Sequence, residues 1–192
     1  MEKYIGEIIV IILIIGTTLL KDFYKWYKSS GKLRFFNQNI ELDVNIKEEL
    51  KFIVNKFGFN RVSIVKYHNG TESFDGFSFN YATITHEEVD DITVGIISEF
   101  QKIPLTSFSE VLKDIKDSPN KYNVLDSDST HSGIMQAGWN VIQSWNFMLS
   151  DRISDGIICC AMTQIPNSLS EADIREIKSV VYKVNLLLNK RK

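Results

Sequence analysis

His68, Asn69, Gly70 and Thr71 stand together at the end of an extended stretch, and no other cluster in the chain is as well suited to meeting a ligand. An imidazole can donate or accept a hydrogen bond, and a primary amide can do both at once. The competing reading is a turn, because Asn-Gly favours the positive-φ geometry of a tight hairpin and His68 could bond locally. Asn69-Gly-Thr71 also fits an N-glycosylation acceptor, which matters only in a eukaryotic secretory setting. His68, Asn69, Tyr81 and Trp139 are the residues expected around a ligand pocket.

The remaining polar clusters have blander readings. His86-Glu87-Glu88 and Asp90-Asp91 form an acidic run. Metal binding would need these side chains to converge, and a solvated helix start is the simpler reading. His131 stands alone in a polar stretch. Asp126 and Asp128 alternate, but no glycine and glutamate complete a calcium loop. Cys159 and Cys160 are adjacent in an apolar stretch, so in a strand they point to opposite faces and cannot readily bridge. They read as small core residues. The chain has no P-loop, dinucleotide fingerprint, Gly-x-Ser-x-Gly elbow or Cys/His nucleophile pair. No catalytic residue, metal or cofactor is therefore expected. The net charge of −2 gives no reason to expect a nucleic-acid partner. Trp139, Trp145 and Phe147 share one parity and read as packing on a sheet face.

The elements that would position these residues follow from periodicity. Asn45 opens a helix signature with Glu48 three residues on. Ile46, Leu50, Ile53, Val54 and Phe57 recur at helical spacing, and Gly58 sits at the cap. Residues 61–67 and 77–85 read as strands, with Asn69-Gly70 as a turn. Residues 87–101 are expected to be helical, and Ser107 with Glu110 marks another helix running to Pro119. Residues 126–130 read as a loop, 132–137 as a helical turn, and 139–149 and 156–164 as strands about a turn at 151–156. Ser170 with Asp173 opens the last helix, whose apolar face is Ile174, Ile177, Val180, Val181, Val184, Leu187 and Leu188. The expectation is an α+β domain with an antiparallel sheet flanked by helices over 45–192.

Ahead of this domain lies the apolar run 8–20, IIVIILIIGTTLL. Its thirteen residues span only about 20 Å as a helix, against about 30 Å of bilayer hydrocarbon. The collar Phe23 to Lys28 would complete it, the aromatic rings as an interfacial belt and Lys21, Lys25 and Lys28 snorkelling. The sequence thus predicts a transmembrane anchor over 1–28, carried by Ile8, Ile12, Ile15, Leu19 and Trp26, and a linker over 29–44. A cleaved signal lacks its basic n-region and small-residue site here. A buried helix is disfavoured by the lysine cluster, and an interfacial helix needs a polar face that 8–15 lacks. Lys3 precedes the run, whereas Lys21, Lys25, Lys28, Lys32 and Arg34 follow it. The positive-inside rule therefore predicts a cytoplasmic domain. Membrane lipid is the expected partner.

Two resemblances add to this reading. Gly138-Trp-Asn-Val-Ile-Gln-Ser-Trp, Arg152-Ile-Ser-Asp-Gly156, Ile157-Ile-Cys-Cys-Ala-Met162 and Leu169-Ser-Glu-Ala-Asp-Ile174 resemble the C-terminal half of a GAF domain. The helix at 45–57 and strand at 61–67 resemble its opening. That resemblance implies a non-catalytic module that senses a small-molecule ligand or meets a regulatory protein, with self-association into a homo-oligomer. One anchor, an aromatic-basic collar and an α+β domain ending Phe147 to Lys190 also resemble the holin of T-even phages. This alternative implies phage origin, pore formation and a regulatory domain in the periplasm.

Overall fold

The computed structural model describes residues 2–68, 81–126, 141–152, 155–164 and 168–190, with the backbone alone at 2–16, 18, 27–37 and 107–110. The chain divides into two compact units, 1–43 and 44–192. Helix α1 (Glu2–Phe57) runs through the whole of the first unit. Residues 29–44, which the sequence reads as a linker, lie within this helix. Gly31 is its one strong helix breaker, and an isolated glycine costs only about 1 kcal/mol against a run of Lys, Leu, Arg, Gln and Glu. Among the described residues, no helix is long and apolar enough to cross a membrane. The side chains of Ile8, Ile12 and Ile15 lie outside the described set, while Leu19 and Trp26 are exposed.

In the second unit α1 stops at Gly58, whose φ of 69° lets its N–H return to the Val54 carbonyl at 3.1 Å. Six strands follow: β1 (Arg61–His68), β2 (Tyr81–Val89), β3 (Ile103–Pro104), β4 (Tyr122–Asp126), β5 (Gln143–Met148) and β6 (Ile157–Met162). They form one sheet in the order β3-β2-β1-β6-β5-β4 with antiparallel neighbours. A 3-10 turn (Leu105–Phe108) leads into α2 (Ser109–Asp117), and α3 (Glu171–Asn189) closes the chain.

Strand alternation gives the sheet two buried faces. On the first, Val62, Ile64, Phe147, Ile158 and Cys160 meet Ile46, Leu50 and Ile53 of α1 and Ile177, Val180 and Val184 of α3. Both helices carry apolar residues three and four apart, which is why they lie on a sheet. The helix α3 starts as its sequence predicts: the Ser170 hydroxyl accepts from the Asp173 N–H, and the Asp173 carboxylate accepts from the Ser170 N–H. On the second face, Val65, Tyr67, Ile84, Met148 and Ile157 meet Ile96, Phe100, Val111 and Ile115. Cys159 and Cys160 fall on opposite faces as free, buried thiols.

Three local readings change. Residues 87–101 are not a helix: β2 continues to Val89, and 90–100 is a series of turns. Glu87 is drawn into the second face, while Asp90 uses its carboxylate on the N–H groups of Ile92 and Thr93 and on the Asn60 amide. The sequence treats Asp126 as the start of a loop, yet it ends β4, where Gln143 donates to its carboxylate. His86, placed by the sequence on a solvated helix start, is buried in β2 with its Nδ1 3.0 Å from the Thr85 hydroxyl.

Candidate functional site

A cavity of about 50 Å³ lies on the second face of the sheet. Its floor is β1, β6 and β5: Arg61, Ser63 and Tyr67 from the first, Cys159 and Ala161 from the second, Asn146 from the third. Ile96 and Phe100 from the segment after β2, with Val111 and Leu112 from α2, line it from above. The walls are mostly apolar, with a few polar groups converging, the usual make-up of a small-molecule site.

Strand register explains why these polar groups meet. Asn123 pairs with Asn146, Asn146 with Cys159, Cys159 with Ser63, and Ser63 with Glu87. One row of directly opposed residues thus carries polar side chains across five strands on a single face. Ser144 and Arg61 stand in the neighbouring row, joined through Ala161. A bulge places the last member. Ile64 pairs with His86 but Val65 with Ile84, so Thr85 is the extra residue in β2. The extra residue reverses parity, and Glu87 joins Ala82 and Ile84 on the cavity side.

The electrostatics follow from burial. Arg61 and Glu87 are each 5% exposed, with Nε and Oε1 3.4 Å apart. Burial pulls the Arg61 guanidinium below its usual pKa, and the nearby Glu87 carboxylate opposes that. The Tyr67 phenol is pushed up by burial, with Cys159 adding to it. The Cys159 thiol is raised to about 12 by burial against a smaller pull from Arg61, and Cys160 is raised well above its ordinary value. Neither sulfur has the thiolate character of a nucleophile at neutral pH. The Tyr67 hydroxyl and both polar atoms of the Asn123 amide are buried with no hydrogen-bond partner among the described residues. An unsatisfied buried group of this kind costs about 1–3 kcal/mol, so the face offers hydrogen bonds that a bound molecule or water could take. Among the described residues, no group of three His, Cys, Asp or Glu could hold a metal ion.

The residues selected from sequence are placed differently. His68 and Tyr81 are cross-strand partners with rings 6.0 Å apart, and His68 Nε2 lies 2.8 Å from the Thr83 hydroxyl. Neither lines the cavity. Asn69 and Trp139 lie outside the described residues. Tyr67, Arg61, Ser63 and Asn146 were not selected. The signal that could have found them is a polar residue recurring at one parity within otherwise apolar strands. A second, more open depression of about 420 Å³ lies beside α3 near Lys178 and Tyr182. Its lining holds none of the buried unpartnered polar atoms.

No family model matches the chain, and no curated protein matches it in sequence. Solved structures share its fold. The GAF domain of PixJ from Thermosynechococcus elongatus, in its blue-light-absorbing form, superposes with a TM-score of 0.58 at 11% identity, covering 80% of this chain and 88% of that one. The phycocyanobilin-bound GAF domain of a cyanobacterial phytochrome gives 0.59 at 12% identity, covering 81% and 88%. A GAF domain region from Geobacter sulfurreducens PCA gives 0.56 at 11% identity, covering 81% and 98%. The chain therefore has a GAF-like α+β fold.

Proposed function

We infer that this chain is a membrane-anchored, non-catalytic sensor whose GAF-like domain binds a small molecule on the second face of its sheet. The observation that carries the reading is the cavity on that face, with the Tyr67 hydroxyl on its wall lacking a hydrogen-bond partner among the described residues. Two of the solved structures with this fold are light-absorbing or bilin-bound, which supports ligand sensing as the use of the fold. A bilin does not fit the cavity as it stands. An apolar cavity of about 150 Å³ binds benzene, so a molecule larger than a few heavy atoms needs a wall of this one, such as the segment carrying Ile96 and Phe100, to move outward.

Support for the anchor comes from the run 8–20 and the residues that follow it. Leu19, Leu20, Phe23, Tyr24 and Trp26 are all more than 60% exposed. On a helix of 3.6 residues per turn these five share one side, with Lys21 and Lys25 on the other. Such an arrangement suits the boundary between headgroups and acyl chains. The reading places the domain on the cytoplasmic side, with membrane lipid as a partner and the apolar run as the anchor.

Two measurements test it. The full chain fused to a C-terminal topology reporter should partition with membranes and report a cytoplasmic end. A periplasmic end would favour the holin-type alternative, and recovery of the full chain in the soluble fraction would sink the anchor. A screen of the full chain for ligand-induced thermal shifts should find compounds whose effect is lost in Tyr67→Phe. Enzymatic turnover of any ligand so found would overturn the non-catalytic reading.

A further inference from the structure

The segment that covers one side of the cavity is tied to the sheet at three places. At its start, the Asn60 amide donates to the Asp90 carboxylate at 2.7 Å, and the Asp90 N–H returns to the Asn60 carbonyl at 2.9 Å. At its end, the Ile84 N–H donates to the Phe100 carbonyl at 3.0 Å, and the Gln101 amide to the Ile84 carbonyl at 3.1 Å. Between these, the tie is ionic. The Glu87 carboxylate accepts from the N–H groups of Ile96, at 2.9 Å, and Ile97, at 3.0 Å. Arg61 stands 3.4 Å from Glu87 and donates through Nη2 to the Val94 carbonyl at 2.8 Å.

We propose that the Arg61–Glu87 pair is a latch that fastens the segment 92–100 over the cavity, and that releasing the latch opens the cavity. The proposal rests on the ligand-sensing reading of the same site. Two features make the pair more than a structural tie. Arg61 is itself part of the cavity wall, so a polar group entering the cavity meets the cation that holds Val94. The segment it fastens also contributes Ile96 and Phe100 to the opposite wall, while Ile92 and Val94 face solvent at 69% and 79% exposure. A segment with two hydrophobic contacts inward and a solvated outer side opens more cheaply than the sheet beneath it. Charge-assisted hydrogen bonds to backbone N–H groups are strong but local, so losing them should free this segment without unpairing strands. Gly95 provides a handle on the latch that removes no charge. A Cβ built there would lie 2.7 Å from Glu87 Oε2, so Gly95→Ala must displace the carboxylate.

The test is residue-resolved amide hydrogen exchange on the full chain, with binding of the dye 1-anilinonaphthalene-8-sulfonate as the measure of cavity access. Glu87→Gln and Gly95→Ala should each raise exchange at Ile96 and Ile97 at least tenfold, leave the amides of β1, β5 and β6 within twofold of their original rates, and increase dye fluorescence. Unchanged exchange at Ile96 and Ile97 in both variants would overturn the latch. So would faster exchange that the central strands share, because that reports global destabilisation. Faster local exchange with no gain in dye binding would overturn the claim that the latch controls access. Neither readout uses the natural ligand, so failure to find one bears on the sensing reading and not on the latch.

Discussion

Tyr67 and His68 are neighbours on β1, yet only Tyr67 reaches the cavity. His68 instead lies across from Tyr81 and bonds to Thr83. The pleat alternates side chains between faces, so a step of one residue along the strand separates a cavity wall from the opposite side of the sheet. This alternation decides which residues can contact a ligand.

Tyr67→Phe removes a buried hydroxyl that has no partner among the described residues. The variant should be as stable as the original or more stable by about 1 kcal/mol, because the desolvation cost of an unmade hydrogen bond disappears. Urea unfolding midpoints measure this. A loss of more than about 1 kcal/mol would mean that the hydroxyl already has a hydrogen-bond partner within the protein.

Acid should loosen the molecule through two carboxylates. Burial pulls the Asp90 carboxyl up, but hydrogen bonds from Thr93, Asn60 and Ile92 outweigh it and hold it below its ordinary value. Asp173 is lowered by the Ser170 hydroxyl and N–H. A group depressed on folding stabilises the native state above its unfolded pKa of about 3.9, and that contribution is lost as pH falls through the folded value. Unfolding midpoints recorded from pH 6 to pH 3 should fall less steeply in Asp90→Asn and Asp173→Asn than in the original protein.

Both thiols should resist alkylation in the native state. Cys159 and Cys160 are buried, and burial raises both pKa values, so thiolate is scarce at pH 8. Iodoacetamide labelling followed by mass spectrometry should find no adduct under native conditions and two after denaturation. Rapid native labelling at Cys159 alone would show that the cavity opens readily to solvent.

Helices α1 and α3 pack on the first face of the sheet. Ile53 and Ile158 are fully buried in its core. Ile→Ala at either position should cost about 2–5 kcal/mol by chemical denaturation. The corresponding change at Ile92, which is 69% exposed, should cost less than about 0.5 kcal/mol.

Elements with one period and one cap were legible in advance. The helix from Ile46 to Phe57, the strands at Arg61 and Ile157, and the last helix with its Ser170–Asp173 box all carry their signals within a few neighbouring residues. The strand β4 was not legible, because its short Tyr-Asn-Val-Leu-Asp run is stabilised by pairing with β5 rather than by its own pattern. The segment 87–101 has helix-like apolar spacing at Val94, Ile97 and Phe100. Local preference was overridden there by Glu87, whose carboxylate takes the backbone N–H groups of Ile96 and Ile97.

The amino-acid sequence by itself determined the α+β class, the apolar run 8–20 with its basic and aromatic collar, and the burial of the adjacent cysteines Cys159 and Cys160. These depend on composition and on periods of 2 and 3.6 residues, which are properties of contiguous chain. Tertiary structure alone decided the candidate site. The row Asn123, Asn146, Cys159, Ser63 and Glu87 comes from four separate strand registers, and its last member turns inward only because Thr85 is bulged. Register and bulges are set by pairing between distant segments, so no local window of the sequence contains them.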